Sequence, residues 1–284
     1  MNYYIVIPAH NEEAFLGKTL DSIIQQTLLP KKVIIVNDHS TDNTEDIIDR
    51  YTVEYGFIRK VNTAAAPGLH LPGSKVINAF NAGLEYLDEE YDFIVKLDAD
   101  LILPAFYFEK IAGIFKVHPA VGIAGGQLHE QDARGRWKLY HPMNRNHIRG
   151  AFKSYSKKCF KAMGGLKNAM GWDTLDELLA QFYGFELYTD ENLTVKHLRP
   201  VGMAYSDKAR FLQGVAMYRM RYGFRICAIA SLKMAWKKGK PMVFIDNMRG
   251  YLKAKKEKLP FLVSGEQGVF IRQLRWRNIR RKLF

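Results

Sequence analysis

Phe93-Ile94-Val95-Lys96-Leu97-Asp98-Ala99-Asp100-Leu101-Ile102-Leu103-Pro104 is the stretch on which the reading of this chain turns. The mostly apolar run at 93–97 reads as a buried strand, and two carboxylates stand at its mouth. Carboxylates spaced by one residue can share a divalent cation. Mg²⁺ and Mn²⁺ prefer oxygen ligands, and Mg²⁺ sites commonly combine one or two carboxylates with substrate phosphates. The stretch therefore predicts a metal–diphosphate site at Asp98 and Asp100. Taken alone it fits better a strand closed by an Asp-rich turn, so its surroundings decide.

Upstream, residues 3–7 form a β-branched and aromatic run that Pro8 closes, and Val33-Ile34-Ile35-Val36 is a continuous apolar run. Both read as strands, the second covered on both faces. Between them, Glu12 to Gln26 places Phe15, Leu16, Leu20, Ile23 and Ile24 on one helical stripe. Another helix is predicted from Ser40-Thr41-Asp42 through Ile47-Ile48 to Tyr51, with Thr41 and Thr44-Glu45 as capping groups. Residues 75–87 give a further helix with Val76, Ile77, Phe80, Leu84 and Leu87 inward. Strands alternating with helices predict an α/β fold with a doubly wound, mostly parallel sheet. Ligands in such sheets bind at the carboxyl ends of strands. Pro8–Glu12, Asn37–Ser40 and Asp98–Asp100 all lie at such ends and would converge on one crevice.

Beyond residue 120 the pattern loosens. Val121–Gly126 reads as a strand, His147–Tyr155 as a second, Cys159–Met163 as a short helix and Leu193–Val195 as a short strand. Thr174 to Tyr183 reads as a helix opened by a Thr174-x-x-Glu177 capping box. On that reading Asp176 and Glu177 occupy the first turn and Asp173 lies just outside it.

A chain of 284 residues has room for one large α/β domain, or for one domain with an appendage. Hydrophobic content of 48% and charged content of 25% are those of an ordinary soluble globule. Cys159 and Cys227 are far apart and form no C-x-x-C, which fits a reducing compartment and excludes a zinc cluster of cysteines. The first residues read as a strand and not as a signal peptide, and no apolar run is long enough for a membrane span. The net charge of +13 is unevenly spread. Residues 1–207 carry 22 Lys and Arg against 26 Asp and Glu, whereas residues 208–284 carry 20 against 3. Two parts are expected: an α/β domain over 1–207 and a basic, mainly helical region over 208–284.

Each polar cluster has a chemical and a bland reading. Asp38, in Asn37-Asp38-His39-Ser40-Thr41-Asp42, can accept a base N–H, or it can form an Asx turn. Asn11 and Glu12, after Ile7-Pro8-Ala9-His10, stand where helix-start N–H groups suit a nucleotide, or they merely open a helix. Lys75 lies in Gly68 to Gly83, a Gly-rich turn entering a helix, and with the helix-start N–H groups can meet a diphosphate, or it is a solvated lysine. Asp173, in Gly171-Trp172-Asp173, can take a proton from an acceptor hydroxyl. His197 is a candidate for metal or phosphate contact, or a structural histidine. No H-E-x-x-H, G-x-S-x-G or Walker A pattern occurs.

The ordered set Ile7–Glu13 (IPAHNEE), Val36–Thr44 (VNDHSTDNT), Asp98–Asp100 (DAD), Gly164-Gly165 and Gly171–Glu177 resembles the family 2 glycosyltransferases, inverting enzymes with the GT-A fold that use nucleotide sugars. The resemblance covers about residues 3–205. It implies that Asp38 binds the nucleotide base and that Pro8, Asn11 and Glu12 line the nucleoside pocket. It implies that Asp98 and Asp100 handle the ribose–diphosphate and a Mn²⁺ or Mg²⁺ ion, with Asp100 the most direct ligand. Asp173 would take the place of the catalytic base, and His197 would lie near the diphosphate as a further metal ligand. The chain departs from the family in having Asn37-Asp38 for two acidic residues and Trp172-Asp173 for Glu-Asp. Processive members carry Gln-x-x-Arg-Trp. Here Gln273-Leu274-Arg275-Trp276 is one residue short, which argues for one sugar per event. The implied donor is UDP- or GDP-linked, and the implied acceptor is a glycan or a lipid-linked hydroxyl.

The basic quarter interleaves aromatic and aliphatic residues with Arg219, Arg221, Arg225 and Lys233, and it holds further clusters at Lys253–Lys258 and Arg272–Lys282. Basic amphipathic helices lie on anionic membranes. Peripheral contact at the inner face of the cell membrane by a cytoplasmic protein is one reading. A helical appendage packed on the catalytic domain is the other. No nucleic-acid-reading module is recognisable, so no nucleic acid is expected as partner. A catalytically idle nucleotide-sugar-binding or nucleic-acid-binding scaffold is the competing function class.

Overall fold

The computed structural model describes residues 1–63, 74–139, 147–199 and 211–283. Residues 68–73 of the predicted Gly-rich segment and the 207/208 boundary lie outside the described residues. In chain order the first elements are β1 (Tyr3–Ala9), α1 (Leu16–Ile24), β2 (Lys32–Asn37), α2 (Thr44–Glu54), β3 (Ile58–Asn62), α3 (Ser74–Leu84), β4 (Phe93–Leu97) and β5 (Leu101–Ile102). There follow α4 (Tyr107–Val117), β6 (Val121–Gln131), β7 (Trp137–Leu139), β8 (Phe152–Ser156), α5 (Lys157–Met163), α6 (Trp172–Phe182) and β9 (Glu186–His197). Four helices complete the described chain: α7 (Leu212–Arg219), α8 (Phe224–Lys238), α9 (Met242–Lys256) and α10 (Gly265–Leu283).

The strands form one sheet in the order β3-β2-β1-β4-β8-β6-β9-β5, with β7 beside β6. The first four are mutually parallel, β8 runs antiparallel to β4 and β6, and β6 and β9 are parallel. Alternation along β1 shows why the sheet needs cover on both faces. Tyr4 and Val6 join one core with Phe80 of α3 and Leu175 of α6. Tyr3, Ile5 and Ile7 join the other with Leu20 of α1, Ile48 of α2 and Ile111 of α4. Burying both faces explains the continuous apolar runs in β1, β2 and β4.

The C-terminal helices continue the first of these cores. Met217, Ile226, Cys227, Tyr251 and Ile271 belong to the same cluster as Leu175 and Leu178. Helices α7 and α9 cross in backbone contact, since a Cβ on Gly214 would lie 1.8 Å from the Asn247 carbonyl oxygen and one on Gly250 2.1 Å from that of Phe211. Both cysteines are free, buried thiols. No helix among the described residues is long and apolar enough to cross a membrane.

Several local expectations shift. The second helix opens at Thr44 and not at Ser40, because Asp42 accepts the Thr44 N–H at 3.0 Å and turns the chain first. The strand expected at 147–155 is confined to Phe152–Ser156. The Thr174/Glu177 capping box does not form. Gly171, with φ of 78°, is the N-cap, so Asp173 lies inside the first turn of α6 and Thr174 within the helix.

Candidate active site

The crevice is built at the carboxyl ends of β1, β2 and β4, as a doubly wound sheet dictates. Pro8, Ala9, His10, Glu12, Asp38, Lys75, Val76, Ala79, Asp98, Ala99, Asp100 and Arg199 line one cavity of about 270 Å³. Residues from five parts of the chain thus meet in one place. Asp38 is held by the Thr63 hydroxyl, which donates to its Oδ1 at 2.8 Å, and its carbonyl lies 2.6 Å from His10 Nδ1. Lys75 stands in the first turn of α3. Asn11 is not in the cavity lining. It adopts a φ of 54°, and its Oδ1 accepts the Thr41 N–H at 2.8 Å, tying the end of β1 to the turn after β2.

The sheet explains how His197 reaches Asp100. Strand β5 begins immediately after Asp100 and pairs antiparallel with β9, setting Leu101 opposite His197. Strand β6 sets Glu130 opposite His197 from the other side. The Leu198 N–H then donates to the Asp100 carbonyl at 2.9 Å. His197 Nε2 lies 3.2 Å from Asp100 Oδ2, and Nδ1 lies 3.1 Å from Glu130 Oε1. Burial opposes protonation of this imidazole, but the Asp100 and Glu130 carboxylates outweigh it and raise its pKa above the ordinary value. Asp100 is buried, and its Oδ1 has no hydrogen-bond partner.

Arg199 closes the cavity. Its Nη2 donates to Glu12 Oε2 at 2.5 Å, and its Nε lies 3.7 Å from Asp100 Oδ2. Burial pushes the Glu12 carboxyl up to about 7; Arg199 opposes this, while Asp100, Asp98 and Asp42 add to it. Asp98 is ion-paired with Lys96, whose ammonium also lies 5.3 Å from the centre of the Trp172 ring.

That contact leads to α6. Asp173 follows Trp172 but is not part of the cavity lining. Gly150 keeps the start of β8 close to it, as a Cβ there would lie 2.9 Å from the Trp172 ring and 3.1 Å from Asp173 Cβ. Asp176 and Glu177, expected as capping residues, are instead buried. Lys153, fully buried on β8, contacts Asp176 Oδ1 at 2.8 Å and Glu177 Oε1 at 3.1 Å, and it donates to the Asp173 carbonyl. Tyr155 donates to Asp176 Oδ2 at 2.6 Å, His147 Nδ1 lies 3.0 Å from Glu177 Oε2, and the Ile148 N–H donates to Glu177 Oε1 at 2.9 Å. Sequence reasoning missed Arg199, Glu130, Lys96 and Lys153. For the two lysines a signal existed, since each interrupts an otherwise buried strand.

Residues 4–171 match the sequence model of the family described as glycosyl transferase family 2. The probable glycosyltransferase YdaM of Bacillus subtilis is 34% identical over 99 residues, covering 34% of this chain and 22% of that protein. The uncharacterized glycosyltransferase MG025 of Mycoplasma genitalium is 26% identical over 182 residues, covering 59% of this chain and 57% of that protein. The chain thus matches between about a fifth and just over half the length of these relatives. Among solved structures, the mannosyltransferase PcManGT from Pyrobaculum calidifontis in complex with GDP-Man and Mn²⁺ aligns with a TM-score of 0.58 at 15% identity, covering 100% of this chain and 81% of that one. Residues 1–349 of S. aureus TarS in complex with UDP-GlcNAc align with a TM-score of 0.58 at 17% identity, covering 78% and 65%. The fold is therefore the GT-A fold expected from the motifs.

Proposed function

Because the chain belongs to glycosyl transferase family 2, whose model spans residues 4–171, we propose that it is an inverting, metal-dependent transferase. It moves one sugar from a UDP- or GDP-linked donor to an acceptor hydroxyl in polysaccharide, glycolipid or other cell-envelope glycan synthesis. The observation that carries this reading is Asp100. A buried carboxylate oxygen without a partner is costly, and the other oxygen of the same carboxylate faces His197 in the lining of the cavity.

These residues fit a Mn²⁺ or Mg²⁺ ion. Asp100 offers its unpartnered oxygen, His197 Nε2 faces the same carboxylate, and Glu130 orients the imidazole from behind, as carboxylates behind metal-bound histidines do. No group of three or more His, Cys, Asp or Glu that could hold a metal occurs among the described residues. Two protein ligands suit an ion that completes its shell with a diphosphate. When bound, the ion supplies positive charge against the leaving diphosphate.

The chain's own residues do the rest. Asp38 accepts a base N–H, while Pro8 and Glu12 line the nucleoside end and Asn11, outside the cavity, holds the turn after β2 that carries Asp38. Asp98 and Lys75 flank the ribose–diphosphate. Asp173 takes the proton of the acceptor hydroxyl as its oxygen bonds to the anomeric carbon. The bond from that carbon to the diphosphate oxygen breaks on the opposite face, and its electron pair leaves with the diphosphate. One displacement inverts the configuration.

Peripheral contact with an anionic membrane belongs to the same reading. Ile229, Leu232 and Trp236 form an exposed stripe on α8, which ends in Lys237 and Lys238. Each Lys or Arg near an anionic surface contributes about 1 kcal/mol. Co-sedimentation with anionic vesicles at low salt tests this part. The donor site is tested by thermal shift with UDP, GDP and their sugars, with and without Mn²⁺. The wild type should be stabilised only when nucleotide and Mn²⁺ are both present, and Asp100→Ala should lose the effect. Equal stabilisation of the two proteins would remove the metal assignment.

A further inference from the structure

Lys96 and Lys153 stand directly opposite each other where β4 pairs with β8. Both are buried. Like charges so placed repel, and each needs its own counter-charge. The two are answered differently. Lys153 has two carboxylates of α6, Asp176 and Glu177. Among the described residues Lys96 has one, Asp98, and its ammonium otherwise faces the Trp172 ring at 5.3 Å. An indole face attracts an ammonium through its quadrupole, but less strongly than a carboxylate does.

The two partners of Lys96 belong to different parts of the site. Asp98 lines the cavity that holds the proposed donor. Trp172 opens α6 and is followed by Asp173. Its ring packs beside Asp173 against Gly150, where a Cβ would lie 2.9 Å from the ring and 3.1 Å from Asp173 Cβ. On the backbone side the same turn is held by Lys153, which donates to the Asp173 carbonyl. One buried ammonium therefore spans the gap between the donor cavity and the start of α6.

We propose that Lys96 is a positioning residue that couples donor occupancy to the placement of Asp173. When a nucleotide binds with Mn²⁺, Asp98 turns its charge to the ligand. Lys96 then leans on the Trp172 ring and draws the first turn of α6 toward the donor. This coupling rests on the donor and base roles proposed for Asp98 and Asp173.

Trp172 supplies the reporter. The full chain carrying Trp137→Phe, Trp236→Phe and Trp276→Phe keeps Trp172 as its one tryptophan. Its fluorescence is followed as UDP or GDP is added with Mn²⁺, and calorimetry on the same samples measures binding. Trp172 emission changes as the nucleotide binds. Adding Lys96→Met to this parent leaves binding in place and abolishes the change. Asp98→Asn, which removes the carboxylate charge and keeps the lysine, gives the change without nucleotide. Should Lys96→Met fail to fold, Asp98→Asn decides alone. A response as large in Lys96→Met as in the parent overturns the proposal, and so does resting emission in Asp98→Asn equal to that of the parent. Loss of nucleotide binding in a folded Lys96→Met protein overturns it too, because Lys96 is then part of the donor site itself. Nucleotide binding to the parent with no Trp172 response removes the coupling alone. No binding of either nucleotide removes the donor reading, and the coupling with it.

Discussion

Two buried charge clusters flank the start of β8, and they are finished differently. Around Lys153, each oxygen of Asp176 and Glu177 has a partner: the lysine, Tyr155, His147, or a backbone N–H. Around Asp100, His197 and Glu130 face one another, yet Asp100 Oδ1 has none and Arg199 shares itself between Glu12 and Asp100. Both clusters arise from carboxylates near strand ends and helix starts, and both perturb ionisation. The difference lies in completeness. A closed network holds α6 against β8, and so fixes where Asp173 sits. An open one beside a cavity is built for something that arrives.

The comparison can be broken in order of effect. Asp100→Ala should lower metal-dependent transfer by about 10³-fold or more if Asp100 is, as proposed, the most direct ligand of an ion worth several kcal/mol. It should change the melting temperature little, because the disappearance of an unpartnered oxygen offsets the lost His197 and Arg199 contacts. A fall in both would place Asp100 in the closed class. Asp173→Asn should cost about 10²–10⁴-fold in turnover with donor affinity retained, the scale of a lost general base. Substantial transfer by that variant removes the assignment. Lys153→Met should behave in the opposite sense to Asp100→Ala. It strands two buried carboxylates and should cost about 3–5 kcal/mol in denaturant unfolding. A variant as stable as wild type would show that the closed cluster bears no weight.

The smallest effect concerns Glu12. Its folded pKa of about 7 lies above the unfolded value, so the protonated form favours the fold. That contribution is complete below the unfolded pKa near 4.5 and is lost as pH rises through 7, a change of about 3 kcal/mol. Glu12→Gln should flatten the stability profile between these limits relative to wild type. Identical profiles would refute the perturbation.

The parts legible in the sequence were those with continuous apolar runs or strict periodicity: β1, β2, β4, α1 and α3. Strand β3 escaped because Arg59 and Asn62 face solvent on a sheet edge, leaving no apolar run. That Asp38, Lys75, Asp98 and Asp100 share one cavity is legible because each lies directly after a strand or at a helix start. The place of Arg199 is not, because nothing local shows that a residue after β9 returns to meet Glu12. The pairing of β5 with β9 joins positions almost a hundred residues apart, and periodicity carries no such information. Asp176 and Glu177 were misread because a helix-start acid looks the same whether it caps a backbone or grips a lysine from a neighbouring strand.

The crossing of α7 and α9 at Gly214 and Gly250 has a mechanical meaning. A junction of bare backbone has no rotamers through which to yield. It is a weld. The two helices keep one spacing, so α7 and α9 move as a unit and any adjustment among the C-terminal helices falls to α8 and α10.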